Sequence, residues 1–291
     1  MPEIKRRLVA AFPDSNMLMR ITDEEFGLLR SLIYKRFGIN LTDQKRSLLV
    51  GRLQKVLRQT GHTSFKSYYD ALLEDSTEQA LSQLVDRIST NHTYFYREKS
   101  HFDFFIETAL PRLKPVLERQ NNRDIRIWCA GCSSGEEAYM LLMLLREYFG
   151  SQYSRWDGGI LATDISSRVL DVARRGIYAE DRLRMLPEHL RRKYFRQLSD
   201  GQYEVVDDLR QEATFRRFNL MNDVFPFKKP FHIIFCRNVM IYFDDPTRKT
   251  LVAKFHKHTA DGGYFFLGHS ETLGRGQSLF KYLAPAVYQK Q

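Results

Sequence analysis

The chain has 291 residues, 43% of them hydrophobic, and a formal net charge of +10. That length suits one large α/β domain or two domains around a packed core, and the positive balance points to an anionic partner: nucleic acid, a membrane surface or an acidic protein. The apolar run at 139–145 is far too short to span a bilayer, the basic N-terminus has no signal-peptide core, and three cysteines, Cys129, Cys132 and Cys236, exclude a secreted disulfide scaffold; a soluble, cytoplasmic protein is expected.

Residues 1–20 read as a loose leader. From Thr22 the pattern turns helical. Thr22 and Glu25 have capping-box spacing, Phe26, Leu29, Ile33 and Phe37 follow one helical face, and Gly38 fits the stop. Further helices are expected from Asp43 to Gly61, over 64–74 and over 77–90, giving an all-helical unit at 1–90. A linker and connecting helix fill 91–124. Over 125–291 strands alternate with helices, which implies a mostly parallel sheet covered on both faces. The expected strands are 125–129, 159–163, 231–235, 264–268 and one near 286–289. The expected helices are 136–149, 166–175 and 246–258, the last entered through Asp245 and Pro246. Residues 194–218 break the rhythm. A hairpin turn at Asp200-Gly201, with 213–218 as a third strand, suggests a small antiparallel β insert.

The stretch "CAGCSSGEEAY" joins an apolar strand to a helix through Gly131 and Gly135. A strand, a glycine loop and a helix commonly hold nucleotide-type cofactors, because glycine lets the backbone approach closely. Here Glu136 and Glu137 stand at the helix start, where they would repel a pyrophosphate. No triphosphate-loop G-K-[ST] follows. A cationic cofactor without phosphates, S-adenosylmethionine, suits such a loop. An ordinary turn with an acidic first helical turn is the plainer alternative. Asp164 ends the next strand where α/β nucleotide sites place an acid for ribose hydroxyls, and Arg237 and Asn238 end a later one. In parallel sheets ligands sit beyond the carboxyl ends of the strands.

Together "STNHTYFYRE" (89–98), "SSGEEAY" (133–139), "CRNVMIYF" (236–243) and "GHSE" (268–271) resemble, in order and spacing, the CheR-type chemotaxis receptor glutamate O-methyltransferases. The resemblance covers roughly 22–290. It implies a Rossmann-like, S-adenosylmethionine-dependent α/β domain with a small antiparallel insert, and an all-α N-terminal domain. By position, Asn91, Thr93 and Arg97 match linker residues that contact the cofactor, and Gly131 belongs to its glycine loop. Glu137 matches the acid at its methionine end, Asp164 the ribose ligand, and Asn219 with Leu220 the pair flanking adenine. Arg237 and Asn238 match further cofactor contacts, and Tyr242 an active-site tyrosine. The chain departs from the usual pattern in Ala138, Tyr139 and Met140 after the two glutamates, and in Tyr96. Arg97 and Tyr242 are the expected catalytic residues. S-adenosylhomocysteine is the implied product.

Lys45, Arg52, Lys55 and Arg58 fall on one arc of the second helix, and 44–69 contains no acidic residue. The resemblance makes this arc the expected contact for the helical cytoplasmic domain of a methyl-accepting chemoreceptor. It also implies that the insert docks a short peptide at the receptor's C-terminus in some members. His92, His256, His258 and His269 have no metal-ligand spacing, so no metal is expected. Nucleic acid as acceptor would usually call for an Asp/Asn-Pro-Pro-aromatic loop, which "RNVMIYF" replaces, and a non-catalytic cofactor sensor would not need Arg97 and Tyr242. A monomer recruited to membrane-bound receptors, without inserting into the bilayer, is the expected form.

Overall fold

The computed structural model describes residues 19–274 and 278–291. The leader expected over 1–20 lies almost entirely outside the described residues.

Four helices build the N-terminal unit: α1 (Asp23–Phe37), α2 (Arg46–Thr60, preceded by a 3-10 turn at Asp43–Lys45), α3 (Phe65–Glu74) and α4 (Gln79–Ile88). Thr22 Oγ1 accepts the Glu25 N–H at 3.1 Å while Glu25 Oε2 accepts the Thr22 N–H at 2.9 Å, closing the capping box. Phe26, Leu29, Ile33, Leu53, Leu57, Phe65 and Leu84 form a core of their own. Then α5 (Lys99–Phe104), a π-helical turn (Phe105–Ala109) and α6 (Leu110–Arg119) connect the two domains.

The α/β domain runs through β1 (Ile127–Ala130), α7 (Glu136–Phe149), β2 (Ile160–Asp164), α8 (Ser167–Arg175), β3 (Ile177–Ala179), α9 (Glu188–Tyr194), β4 (Phe195–Gln197), β5 (Gln202–Val205) and α10 (Asp207–Gln211). It ends with β6 (Ala213–Arg217), β7 (Phe231–Phe235), α11 (Asp245–His258), β8 (Thr259–Phe266), β9 (Phe280–Ala284) and β10 (Val287–Lys290). Seven strands form one sheet in the order β6-β2-β1-β7-β8-β10-β9. The first five are parallel, and β10 lies antiparallel between β8 and β9. Alternate residues serve opposite faces, as the two-residue period of a strand requires. Ile127, Cys129, Ile233, Phe235 and Phe266 pack on one side with α7, and Trp128, Ala130, Ile234, Cys236 and Phe265 on the other with α11.

Two sequence expectations are corrected. The small sheet has the order β3-β5-β4, so its third strand is β3, and residues 213–217 instead extend the main sheet by pairing parallel to β2. The cap of α11 is Asp244, whose carboxylate accepts the Thr247 N–H at 3.1 Å; Asp245 is the first helical residue. No helix among the described residues is long and apolar enough to cross a membrane.

The domains meet through α1 and the chain after it. Tyr34 Oη donates to Asp244 Oδ2 at 2.9 Å, and the Asn40 N–H to the Tyr242 carbonyl at 2.8 Å. At Gly38, with φ +69°, an added Cβ would lie 2.3 Å from Met221 Sδ. Only glycine permits so close an approach with that backbone.

Two buried histidines set an acid limit on stability. Burial lowers His101 to about 4, with Arg237 and His269 adding to it; burial, then Arg126, lowers His232 to about 4 as well. The Arg126 N–H donates to His232 Nδ1 at 3.0 Å, which suits the neutral ring. Below the ordinary value of 6.5 the unfolded chain binds protons that the fold refuses. Stability is therefore expected to fall as pH drops from 6.5 towards 4, by up to roughly 1.4 kcal/mol per pH unit for each histidine. Urea unfolding followed across that range would expose the slope; a flat profile would mean the rings charge freely in the fold.

Candidate active site

The strand order reverses at β1 and β7: from β1 the chain moves outward to β2, and it returns on the far side as β7. Ligands bind at such a switch point, beyond the strands' carboxyl ends. A cavity of about 340 Å³ lies there, walled by the loops after β1, β2 and β7, by the linker and by the end of α1. Asn91, Thr93, Arg97, Gly131, Glu137, Asp164, Asn219, Leu220, Arg237, Asn238 and Tyr242 all line it.

The loop after β1 bends at Gly131, where φ is +84° and an added Cβ would meet Val239 Cγ2 at 2.3 Å. Gly131 and Cys132 donate their N–H groups to the Thr163 carbonyl at 2.7 and 2.9 Å, which presses the loop against the end of β2. Asp164 then accepts the N–H of Ser133 at 2.8 Å and of Ser166 at 2.9 Å. Burial raises its carboxyl above the usual value, against the pull of those bonds. The Ser166 hydroxyl, at 3.4 Å from the Val169 N–H, serves as the cap of α8, so Asp164 is not needed for that.

Of the two glutamates opening α7, only Glu137 faces the cavity. Its carboxylate lies between the Cys129 thiol, 2.9 Å away, and Arg237 Nη1, 2.7 Å away. Glu136 is fully buried behind it, held by Ser134 Oγ at 2.7 Å and by Arg182 at 3.3 Å. The repulsion of phosphate inferred from both glutamates therefore rests on Glu137. All three cysteines are buried free thiols, and burial pushes each well above its ordinary value.

After β7, Arg237 is a buried cation shared by Glu137 and Glu98, whose Oε2 lies 2.9 Å from its Nη2. The same Nη2 donates to the Arg97 carbonyl at 2.5 Å. Asn238 sits at φ +59°, with its N–H on Glu271 Oε2 at 2.8 Å and its amide on Glu98 Oε1 at 3.3 Å. Arg97 Nη1 donates to the His92 carbonyl at 2.6 Å. Tyr242 Oη donates to the Thr90 carbonyl at 3.2 Å, and Lys45 Nζ lies 5.8 Å from the centre of its ring.

Among the described residues, three buried polar atoms in cavity-lining residues have no partner: Asn91 Nδ2, Ser133 Oγ and Arg237 Nε. Buried polar groups are normally hydrogen-bonded, so these are available to a ligand. The donor set fits S-adenosylmethionine: the carboxylates Glu137 and Asp164 suit its ammonium and its ribose hydroxyls, and Phe37, Ile39 and Leu220 provide apolar wall for an aromatic base.

Asn219 lines the cavity, where Nδ2 donates to the Arg36 carbonyl at 2.8 Å and Oδ1 accepts the Met221 N–H at 3.0 Å, each with one further hydrogen-bonding position. Arg52 donates to the Ile88 carbonyl and, at 2.8 Å, to Thr90 Oγ1, neutral partners that leave its charge in place. It ties the end of α4 and the linker to α2. Lys55 and Arg58 are exposed on α2.

Sequence reasoning passed over Glu98 and Glu271, although each ends a quoted motif, and it missed the helical domain's wall at Phe37, Ile39 and Ile88. Glu98, His101 and His269 also bring potential metal-ligand atoms within 4.8 Å of one another. A cation there would have to share Glu98 with the Arg237 guanidinium, which already balances that carboxylate.

The relationships of the chain agree with this geometry. Residues 24–89 match the family model described as "CheR methyltransferase, all-alpha domain", and 91–288 the one described as "CheR methyltransferase, SAM binding domain". The "Chemotaxis protein methyltransferase" of Borreliella burgdorferi is 45% identical over 94% of this chain and 97% of its own length. Proteins named "Chemotaxis protein methyltransferase 2" from Pseudomonas aeruginosa and Vibrio cholerae are 36% and 35% identical, over 94% and 89% of this chain and 95% and 89% of theirs. With a cofactor cavity at the switch point and both domain models matched in sequence, the chain belongs to the CheR methyltransferase family and is an S-adenosylmethionine-dependent methyltransferase.

Proposed function

We propose that the protein esterifies glutamate side chains on the cytoplasmic helical domain of chemoreceptors, leaving glutamate methyl ester and S-adenosylhomocysteine. The observation that carries this reading is what surrounds the cavity. Arg97 and Tyr242 stand in its wall, Lys45 lies over the Tyr242 ring, and Lys55 and Arg58 are exposed on the helix that follows Lys45. An acceptor carboxylate suits such a cationic approach, which would speed encounter with an acidic partner.

Bound S-adenosylmethionine supplies an electrophilic methyl group on a sulfonium. A glutamate carboxylate, with a reference pKa of about 4.3, is already the nucleophile at neutral pH. Transfer of that methyl to the carboxylate oxygen would leave the carbon–sulfur electron pair on sulfur and would require no proton transfer from the protein. The site needs no general base; it must align the reactants and exclude water. Arg97 orients the incoming carboxylate by charge-assisted hydrogen bonds, and Tyr242 positions it against the methyl donor. Asn91, Thr93, Gly131, Glu137, Asp164, Asn219, Leu220, Arg237 and Asn238 hold the cofactor. The small sheet's edge strands β3 and β4 offer backbone groups to which a receptor's terminal peptide could add as a further strand. The enzyme works as a cytoplasmic monomer recruited to the membrane by its receptor.

The test is transfer of radiolabelled methyl from S-adenosylmethionine to receptor-containing membranes, with Asp164→Ala as control. Base-labile label on the receptor, lost with the variant, is expected. Unlabelled membranes alongside calorimetric binding of S-adenosylmethionine would overturn the acceptor assignment.

A further inference from the structure

The charged side chains in the cavity wall cancel. Glu137 and Asp164 stand against Arg97 and Arg237. S-adenosylmethionine carries an ammonium, a sulfonium and a carboxylate, a net charge of +1, whereas S-adenosylhomocysteine, lacking the sulfonium, is neutral. A wall with no net charge has no long-range preference between them. Two carboxylates stand directly behind it: Glu271, whose oxygens are spent on the N–H groups of Asn238, Ile241 and Gly268, and Glu98, which pairs with one of the wall's own charges. Glu98 does not line the cavity, yet its side chain is only 14% exposed and both its oxygens are engaged with residues that do. Oε2 accepts Arg237 Nη2 at 2.9 Å and the His269 N–H at 3.1 Å; Oε1 accepts the Asn238 amide at 3.3 Å. Burial alone would raise its carboxyl, but Arg237 and Asn238 outweigh this and hold it below its ordinary value. The backbone is bent to put it there: Tyr96 and Glu98 have φ of +65° and +59°, a region that disfavours side-chain-bearing residues.

From this we infer that Glu98 is a positioning residue that supplies the surplus negative charge of the cofactor site. It shares Arg237 with Glu137, so that two carboxylates stand on one cation and the cluster keeps one net negative charge for the cationic cofactor, and it fixes Arg237 and Asn238 to the end of the linker. The inference rests on the binding of S-adenosylmethionine but not on the identity of the methyl acceptor. If Glu98 acted only as a structural tie, its loss would weaken both ligands alike. A charge role separates them, since only one carries the sulfonium.

The experiment is titration calorimetry of S-adenosylmethionine and S-adenosylhomocysteine against the wild type and Glu98→Gln, which keeps shape and removes charge, with thermal melting to establish the fold. Expected is about a tenfold loss of affinity for S-adenosylmethionine and no more than about threefold for S-adenosylhomocysteine. Equal losses for the two ligands, or losses within about twofold, would overturn the inference. Should the glutamine variant fail to fold, Glu98→Asp keeps the charge with shorter reach. It is expected to retain the wild-type ratio of the two affinities, and a collapsed ratio would be equally fatal. Wild-type protein that bound neither ligand would instead refute cofactor binding itself, so the two failures are distinguishable.

Discussion

Arg97→Ala is expected to lower kcat/KM for methyl transfer by roughly 10²–10³-fold while the protein still folds. The guanidinium lines the cavity, and its one side-chain hydrogen bond runs to the His92 carbonyl within its own linker, so its removal leaves no buried charge behind. On the proposed mechanism, what is lost is the fork that fixes the acceptor carboxylate. The bond cannot be too strong, since a carboxylate fully neutralised by arginine would be a poor nucleophile. Arg97→Lys therefore makes a useful companion: it restores charge without the planar pair of donors and should recover only part of the rate. Single-turnover methylation of receptor membranes, with circular dichroism to confirm the fold, reads both. Wild-type turnover in the alanine variant would remove Arg97 from the mechanism.

Glu271→Ala is expected to be the more damaging to the fold. This buried carboxylate accepts the N–H groups of Asn238, Ile241 and Gly268 at 2.8, 3.1 and 2.6 Å. In effect it moulds the loop that presents Arg237, Asn238 and Tyr242. Burial raises its carboxyl, and the three bonds oppose that rise without cancelling it. Alanine would leave three donors facing a void, a loss of roughly 3–5 kcal/mol. The melting temperature should then drop by on the order of 10 °C, together with cofactor affinity. Glu271→Gln retains one carbonyl oxygen and should fall between. A melting temperature unchanged in both variants would show that solvent or another side chain satisfies the loop.

The sequence was readable wherever a structural cause lies within a few residues. Thr22, Glu25 and Gly38 mark the limits of α1 because caps are local chemistry, and β1, β2 and β7 stand out because strands buried on both faces are continuously apolar. Residues 213–217 were misassigned for the converse reason. They follow a hairpin closely in the chain, only Phe215 is buried, and the pairing with β2 that claims them spans some fifty residues. β3, three residues long, is too short to show alternation. β9 went unseen, for two of its five residues are exposed. The same divide runs through the site. Several polar residues facing the cavity, Asn91, Thr93, Arg97, Glu137, Arg237, Asn238 and Tyr242, belong to compact motifs, whereas the wall from Phe37, Ile39 and Ile88 does not. Glu98 acts on partners 139 to 171 positions away, and no spacing rule reaches that far. The bond from Arg52 to the Ile88 carbonyl, 36 residues distant, lay equally out of reach.

The wall shared by the two domains bears on any attempt to exchange receptor preference between relatives. Phe37, Ile39 and Ile88 belong to the helical domain yet bound the same cavity as the loops of the α/β domain, and Gly38 leaves no room for a side chain beside Met221. A chimera joined near residue 90 would import three foreign surfaces into the pocket along with the new α2. Its partners' fit at Met221, Asn219 and Tyr242 would be rebuilt at the same stroke. Swaps confined to the exposed positions of α2 keep that seam intact, and they are the grafts in which altered receptor choice can be read without altered cofactor handling.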